Sequence, residues 1–272
     1  MIGDSKMLNV LNLGAGVQSS VLALMLDKGE LGPKPDVAIH ADTKSDPPNV
    51  SEMVEWLSNN LSYPVNVVSA GNVAEDLYFY RNSTGQQSNS PPLYIKHTNG
   101  KIGMGRRQCT REYKLEPIKK EMRRLLGLKK GQWWPKEPAI NSILGISTDE
   151  IMRAKDSDHH AIIKSYPLIE AGLSRQDCMD WWENNAPINA PKIGRSACYC
   201  CPYQNTEEWQ TLKEDYTELF YKAVVIDKVV RKRIDNGEMY LHASGLPLQD
   251  AIETKNDDIS QFDSDCEGMC GI

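Results

Sequence analysis

The stretch Met7-Leu8-Asn9-Val10-Leu11-Asn12-Leu13-Gly14-Ala15-Gly16-Val17-Gln18-Ser19-Ser20 decides the fold. Its first half is a short, largely apolar run suited to a buried strand. Glycines break that run, and Ser19 to Lys28 reads as a helix ending at Gly29. A glycine turn therefore joins strand to helix. Small residues at such a turn let backbone N–H groups approach a phosphate, and the helix start adds unpaired donors and a positive dipole end. The pattern lacks the Gly-Lys-Ser/Thr of a Walker loop, and Ser19 stands where a dinucleotide fingerprint needs a third glycine. Spacing alone leaves open a tight strand-to-helix turn without a ligand.

The same alternation continues outward. Val37 to His40 is a second strand, Val50 to Asn60 a helix with Met53, Val54 and Leu57 on one face, and Val65 to Val68 a third strand. Repeated βα units predict an α/β, Rossmann-like, mostly parallel sheet flanked by helices. Residues 81 to 105, rich in Ser, Asn, Gln, Gly and Pro, read as a long loop. A helix is expected from Arg111 to Leu126, a strand over Ala139 to Ile146, a helix over Ser174 to Asn185, and helical stretches from Thr206 to Asp235. The division that follows is a nucleotide-binding domain over 1–203 and a helical C-terminal extension over 204–272, ending in a flexible tail with Cys266 and Cys270.

A chain of 272 residues can bury a sizeable core. The longest apolar run, Val21 to Leu26, is far below the roughly 20 residues of a membrane-spanning helix. The first six residues hold no apolar signal core, so a cytoplasmic chain without membrane contact is expected. Net charge is −6, which argues against a non-specific nucleic-acid binder, but the charge is uneven. Between Arg106 and Arg124 eight Lys or Arg face three Glu, whereas Asp250 to Glu267 holds seven acids and one Lys.

Seven cysteines in a reducing compartment point to buried thiols, metal ligands or redox groups. Cys198 and Cys201 form a Cys-x-x-Cys pair that can place two thiolates on one metal or cluster, with Cys109, Cys266 and Cys270 as more distant donors. Cys178 reads as a packed thiol, and Cys200, inside the pair, points elsewhere. His159-His160 reads as a polar turn, because adjacent side chains diverge on most backbones. Asp42 and Thr43 follow the second strand and Gly145 to Arg153, with Glu150, follows a later one, so both segments are delivered to the sheet edge where open α/β sheets bind ligands. Arg106, Arg107, Arg111 and Lys114 suit phosphate or sulfate, whereas Lys119, Lys120, Arg123 and Arg124 alternate with Glu116 and Glu121 as on a solvated helix face.

Taken together, these motifs resemble the 3′-phosphoadenylyl-sulfate (PAPS) reductase family of the adenine nucleotide α-hydrolase-like, PP-loop superfamily. Gly14-Ala15-Gly16-Val17-Gln18-Ser19 is similar to the PP-loop, Gln18 matching the sulfonucleotide reductase branch. Ala41-Asp42-Thr43 resembles the family's Asp-Thr-Gly, and Cys109 to Pro117 its Cys-Cys-x-x-x-Lys-Val-Glu-Pro. Tyr166-Pro167-Leu168, then Ser174 to Asp177 and Trp181, resemble the region before the family's Cys-x-x-Cys. The resemblance implies an adenine nucleotide (ATP, PAPS or adenylyl sulfate) held by Gly14, Ala15, Gly16, Gln18, Ser19, Asp42, Thr43, Arg107, Arg111, Lys114, Glu150 and Arg153. It implies Cys266 as the catalytic thiol that attacks a sulfonucleotide, and a thiol donor such as thioredoxin that resolves the product. It also implies a 4Fe-4S cluster, or zinc in its place, on Cys109, Cys198, Cys201 and Cys270.

Three departures accompany this likeness. Gln108 replaces the first cysteine of the pair, Ser147 replaces an expected Arg, and the tail Asp265-Cys266-Glu267-Gly268-Met269-Cys270 has no His. Ser147, the missing second cysteine and the basic region from Arg106 to Arg124 keep open an ATP pyrophosphatase that adenylates and thiolates a nucleobase or nucleic-acid backbone. A non-enzymatic iron–sulfur redox sensor is the alternative of another class.

Overall fold

The computed structural model describes residues 7–253. The first half runs β1 (Leu8–Asn12), α1 (Val17–Lys28), β2 (Val37–Ala41), α2 (Pro48–Asn60), β3 (Val65–Val68), α3 (Val73–Tyr78), β4 (Tyr94–His97) and β5 (Ile102–Met104). A π-helical turn (Arg111–Leu115) leads into α4 (Glu116–Leu125), β6 (Ile140–Leu144), a 3-10 turn (Thr148–Arg153), β7 (Ile162–Ser165), α5 (Pro167–Glu170) and α6 (Arg175–Asn185). The remainder is α7 (Thr206–Asp215), α8 (Thr217–Val230), β8 (Gly237–Tyr240) and α9 (Leu248–Glu253).

Five strands form a parallel sheet in the order β3-β2-β1-β6-β7. Alternate side chains divide between its faces. Leu11, Ala38 and Ile143 pack with α1, α2 and α6, where the Trp56 and Trp182 rings meet edge to face at 6.1 Å. Val10, Ile39, Ile140 and Ile162 pack against Ile118 and Met122 of α4. Helices on both faces explain why β2 and β6 are buried along their whole length. The polar residues of the central strands pair across the sheet: Asn12 Nδ2 donates to Ser142 Oγ at 2.8 Å, and Asn141 Nδ2 to Asn9 Oδ1 at 2.9 Å. Each such bond avoids the cost of leaving a buried donor unmade.

The region expected as one long loop, 81–105, carries β4 and β5. These pair antiparallel with β8 in a three-stranded sheet, order β5-β4-β8. Its hydrophobic core unites α3, Leu93 and Tyr113 with α7, α8 and α9. Between Thr206 and Glu253 lie α7, α8 and α9, with β8 as a strand the pattern did not indicate. Asp227 of α8, 1% exposed, ties this region together. Its carboxylate accepts from Leu241 N at 2.8 Å, Leu248 N at 3.2 Å and Arg231 Nη2 at 2.6 Å. No helix among the described residues is long and apolar enough to cross a membrane.

Candidate active site at the switch point of the sheet

The chain leaves β1 for β2 on one side and reaches β6 on the other, so the strand order reverses between β1 and β6. Open α/β sheets bind ligands in the crevice beyond the carboxyl ends of such a strand pair. Here the crevice is built from the loops after β1 and β6. Helix α1 starts at Val17, two residues earlier than its pattern suggests, so Val17, Gln18 and Ser19 form its first turn. Gly16 precedes it with extended backbone and no side-chain cap, and Ala15 holds a left-handed φ of 58°. The first-turn N–H groups therefore face the crevice without a side-chain acceptor.

Gly145, the residue after β6, abuts this turn. A Cβ on Gly145 would lie 2.9 Å from Ser19 Cα and 3.0 Å from Ser19 N, so only a glycine permits the two loops to touch. Gln18 Nε2 then donates to Ser147 Oγ and to Glu150 Oε2, each at 3.3 Å, and Glu150 pairs with Arg153. The cleft is lined by Gly16, Val17, Gln18, Ser19, Gly145, Glu150, Arg195 and Ser196. Gly16, Gln18, Ser19 and Glu150 are sequence-predicted residues brought together here, with Arg153 behind Glu150.

Arg195 and Ser196 are additions that sequence reasoning missed. Ser196 Oγ lies 3.0 Å from where a Cβ on Gly16 would stand. Arg195 pairs with Glu208, whose other role is the capping box of α7: Asn205 N donates to Glu208 Oε2 at 2.8 Å. The helix start thereby fixes the arginine in the cleft. The available signal was a polar Gly194-Arg195-Ser196 turn just before Cys198, overshadowed by the cysteines.

Asp42, Thr43, Arg107, Arg111 and Lys114 do not line this cleft. Asp42 Oδ1 accepts from Lys44 N at 2.7 Å. Thr43 donates to Asp46 Oδ2 at 2.7 Å and lies 3.2 Å from Cys198 Sγ, joining the β2 loop to the cysteine loop. Arg107 lies over the Tyr203 ring at 5.1 Å, and Arg111 makes an exposed ion pair with Glu116 at 3.3 Å. Burial pushes the Cys198 thiol well up, assisted by the charges of Asp46 and Cys200 and opposed by Lys114 and Thr43.

His40 anchors the loop after β1, its Nδ1 lying 2.9 Å from Leu13 O. Burial lowers its pKa, outweighing that hydrogen bond and the nearby Asp46. The unfolded chain takes up the proton below about pH 6.5, whereas the folded ring resists it. His40 therefore contributes stability that is present above that pH and lost as pH falls below it. Thermal melts from pH 7.5 to 5 should show a falling Tm. The fall should be smaller in His40→Asn, whose amide can still reach Leu13 O, and an equal fall would refute the assignment. His242, also lowered by burial, adds to the slope in both proteins.

The cysteines depart from the expected ligand set. Cys109 and Cys198 pack partly buried against the second core, where Cys200 is fully buried, and Cys201 N donates to Cys198 O at 2.9 Å in a tight turn. Among the described residues no group of three or more His, Cys, Asp or Glu is placed to hold a metal ion. Cys109, Cys198 and Cys201 alone thus make no such group as arranged. Cys178 is buried between helices, as expected of a packed thiol. Cys266 and Cys270 lie outside the described residues.

No protein-family model matches this chain. No curated protein matches it either. Among solved structures it is similar to the phosphate complex of phosphoadenylyl-sulfate (PAPS) reductase from Candida auris, with 14% sequence identity and a TM-score of 0.43, over 66% of this chain and 74% of that one.

Proposed function

We propose that this chain is an adenine-nucleotide-dependent enzyme of sulfur chemistry that reduces a sulfonucleotide, PAPS or adenylyl sulfate, to sulfite. The observation that carries the reading is the meeting of the glycine turn, the β6 loop and Arg195 in one cleft at the switch point. Backbone N–H groups of the first turn of α1 and the Arg195 guanidinium would receive the nucleotide's phosphates. Gly14 and Ala15 shape that turn, and Gln18 holds Ser147 and Glu150 in place beneath it. Asp42, Thr43, Arg107, Arg111 and Lys114 are assigned to the rest of the nucleotide.

In the chemical step the Cys266 thiolate attacks the sulfate sulfur. The bond from that sulfur to the phosphate oxygen breaks, the nucleotide leaves with both electrons, and an S-sulfonate forms on Cys266. A second thiol, from Cys270 or a donor such as thioredoxin, then attacks the Cys266 sulfur. Sulfite leaves and a disulfide remains, so two thiols supply the two electrons. No step passes through a metal or cluster.

One observation favours a second reading. Ser147, where the resemblance to the reductases would place an Arg, is fully buried and bonded to Gln18. An ATP pyrophosphatase that adenylates an acceptor and then thiolates it needs no such Arg on a sulfate.

Calorimetric titration with ATP, PAPS and adenylyl sulfate, followed by assays for sulfite and pyrophosphate, tests both. Sulfite release that disappears in Cys266→Ser supports the first reading, pyrophosphate release from ATP the second, and absence of binding by all three nucleotides overturns both. Arg195→Ala should weaken nucleotide binding about 10- to 100-fold, as expected for loss of a hydrogen bond to a charged group. Unchanged affinity would remove Arg195 from the site.

A further inference from the structure

A second groove, enclosing about 600 Å³, lies on the other face of the sheet along α4. Ser69 and Ala70, just after β3, line one end, and Trp134 and His159, just before β6 and β7, line the other. Lys119, Lys120 and Arg123 line its length. Ser69 Oγ donates to Asp42 O at 2.7 Å, which ties the start of the groove to the loop after β2.

Two features separate this face from an ordinary solvated helix. The first is a set of stacked planes. Arg123 lies over the Trp134 ring at 5.5 Å, Trp134 meets His159 at 4.6 Å, and His159 stacks on His160 at 4.8 Å with 20° between planes. The adjacent histidines therefore stack where the sequence suggested divergence, and His160 Nε2 lies 2.9 Å from Pro135 O, which fixes the pair. Next to this stack Trp133 is 92% exposed, on a loop that Arg123 clasps through Gln132 O at 2.6 Å and Lys129 O at 3.3 Å. A tryptophan presented to water on a fastened loop is an aromatic platform.

The second feature is charge. From Arg106 to Lys136 there are eleven Lys or Arg and three Glu, in a chain of net charge −6. Glu112 and Glu116 also line the groove, and the acids in and near it are engaged: Glu112 with Ser90 Oγ at 2.7 Å, Glu116 with Arg111, Glu121 with Arg124, and Asp158 with Lys119 at 3.7 Å. Lys120 is exposed and makes no ion pair among the described residues, and Lys129 and Lys130 flank the platform. Burial and the neighbouring His160 and Lys119 lower the His159 pKa, which keeps that ring an uncharged stacking surface near neutral pH.

Aromatic faces interleaved with cations along a groove are how proteins hold unpaired bases and their phosphates. We propose that the α4 groove and the Trp133 platform bind a single-stranded nucleic acid, bases stacking on Trp133 and Trp134 and phosphates meeting Lys119, Lys120 and the Lys129–Lys130 pair. A duplex keeps its bases stacked on one another and gains nothing from these rings. Trp133 is not among the residues that line the groove, so a free nucleotide held there would not stack on the platform.

The test is fluorescence anisotropy of the full chain with labelled twelve-nucleotide poly-dT and poly-U, and no free nucleotide present, so the result does not depend on the crevice. We expect binding to either strand that weakens steeply with salt. Trp133→Ala should weaken it about 5- to 100-fold, the loss from one stacked base. Lys120→Glu should weaken it and lower the slope of log affinity against log salt by about 1. Both side chains are exposed, so neither change should move Tm, which is checked alongside. No strand binding, equal affinity for a duplex, competition by AMP as effective as by unlabelled strand, or indifference to both substitutions would each overturn the proposal.

Discussion

Gly145→Val should cost the protein both its nucleotide affinity and about 1–3 kcal/mol of stability, the usual range for forcing extra carbon atoms into a packed site. The obstruction is backbone, since a Cβ there meets Cα and N of Ser19 at 2.9 and 3.0 Å. Neither atom belongs to a side chain that can swing aside. Relief requires α1 to move away from β6, which pulls the first turn out of the cleft and breaks the Gln18 bonds to Ser147 and Glu150. Gly145→Ala should move both readouts in the same direction by less. Urea unfolding gives the stability change, and calorimetry with the nucleotide that binds the wild type gives the affinity. A Gly145→Val protein matching the wild type in both would mean that the loops do not touch.

Asp227→Ala should lower stability by about 3–5 kcal/mol, the cost of removing one partner from a buried ion pair. It leaves the Leu241 and Leu248 N–H groups and the Arg231 guanidinium facing a pocket that no longer holds an acceptor. Asp227→Asn retains one oxygen and should lose about 1.5–3 kcal/mol. Urea unfolding followed by tryptophan fluorescence measures this, because Trp209 of α7 lies fully buried in the same core. A loss under about 1 kcal/mol in Asp227→Ala would show that the carboxylate does not organise the region around α8 and β8.

Four strands of the parallel sheet were legible because each is a short, largely apolar run bounded by glycine, proline or polar residues, and the glycine turn after Leu13 marks the first crossover; β7, Ile162 to Ser165, is half polar and was missed. Gln18, Ser19 and Glu150 were legible for the same reason: parallel strands deliver the residues that follow them to a common edge. Arg195 and Ser196 were not. They reach the cleft from a loop after α6, and the polar Gly194-Arg195-Ser196 stretch does not by itself record which elements that loop meets. Strands β4, β5 and β8 were missed because they are three or four residues long, each interrupted by glycine or charged side chains, and because β4 pairs with a segment far along the chain. The three cysteines mark where spacing stops: it admits a common metal but does not fix where thiols point, and among the described residues they form no metal-binding group.

The pairing of β4 with β8 also sets a timetable for the growing polypeptide. Tyr94 must wait for Tyr240 to be translated. At ordinary elongation rates that interval lasts roughly 7–30 s. Throughout it β4 has β5 on one side and an uncovered row of N–H and C=O groups on the other, the geometry that recruits foreign strands. Nascent chains of this protein should therefore depend most on chaperones after Met104 has emerged and before Gly237 has, and ribosomes stalled after Ser165 has emerged but before Gly237 has should release aggregating fragments although all five strands of the parallel sheet are already made.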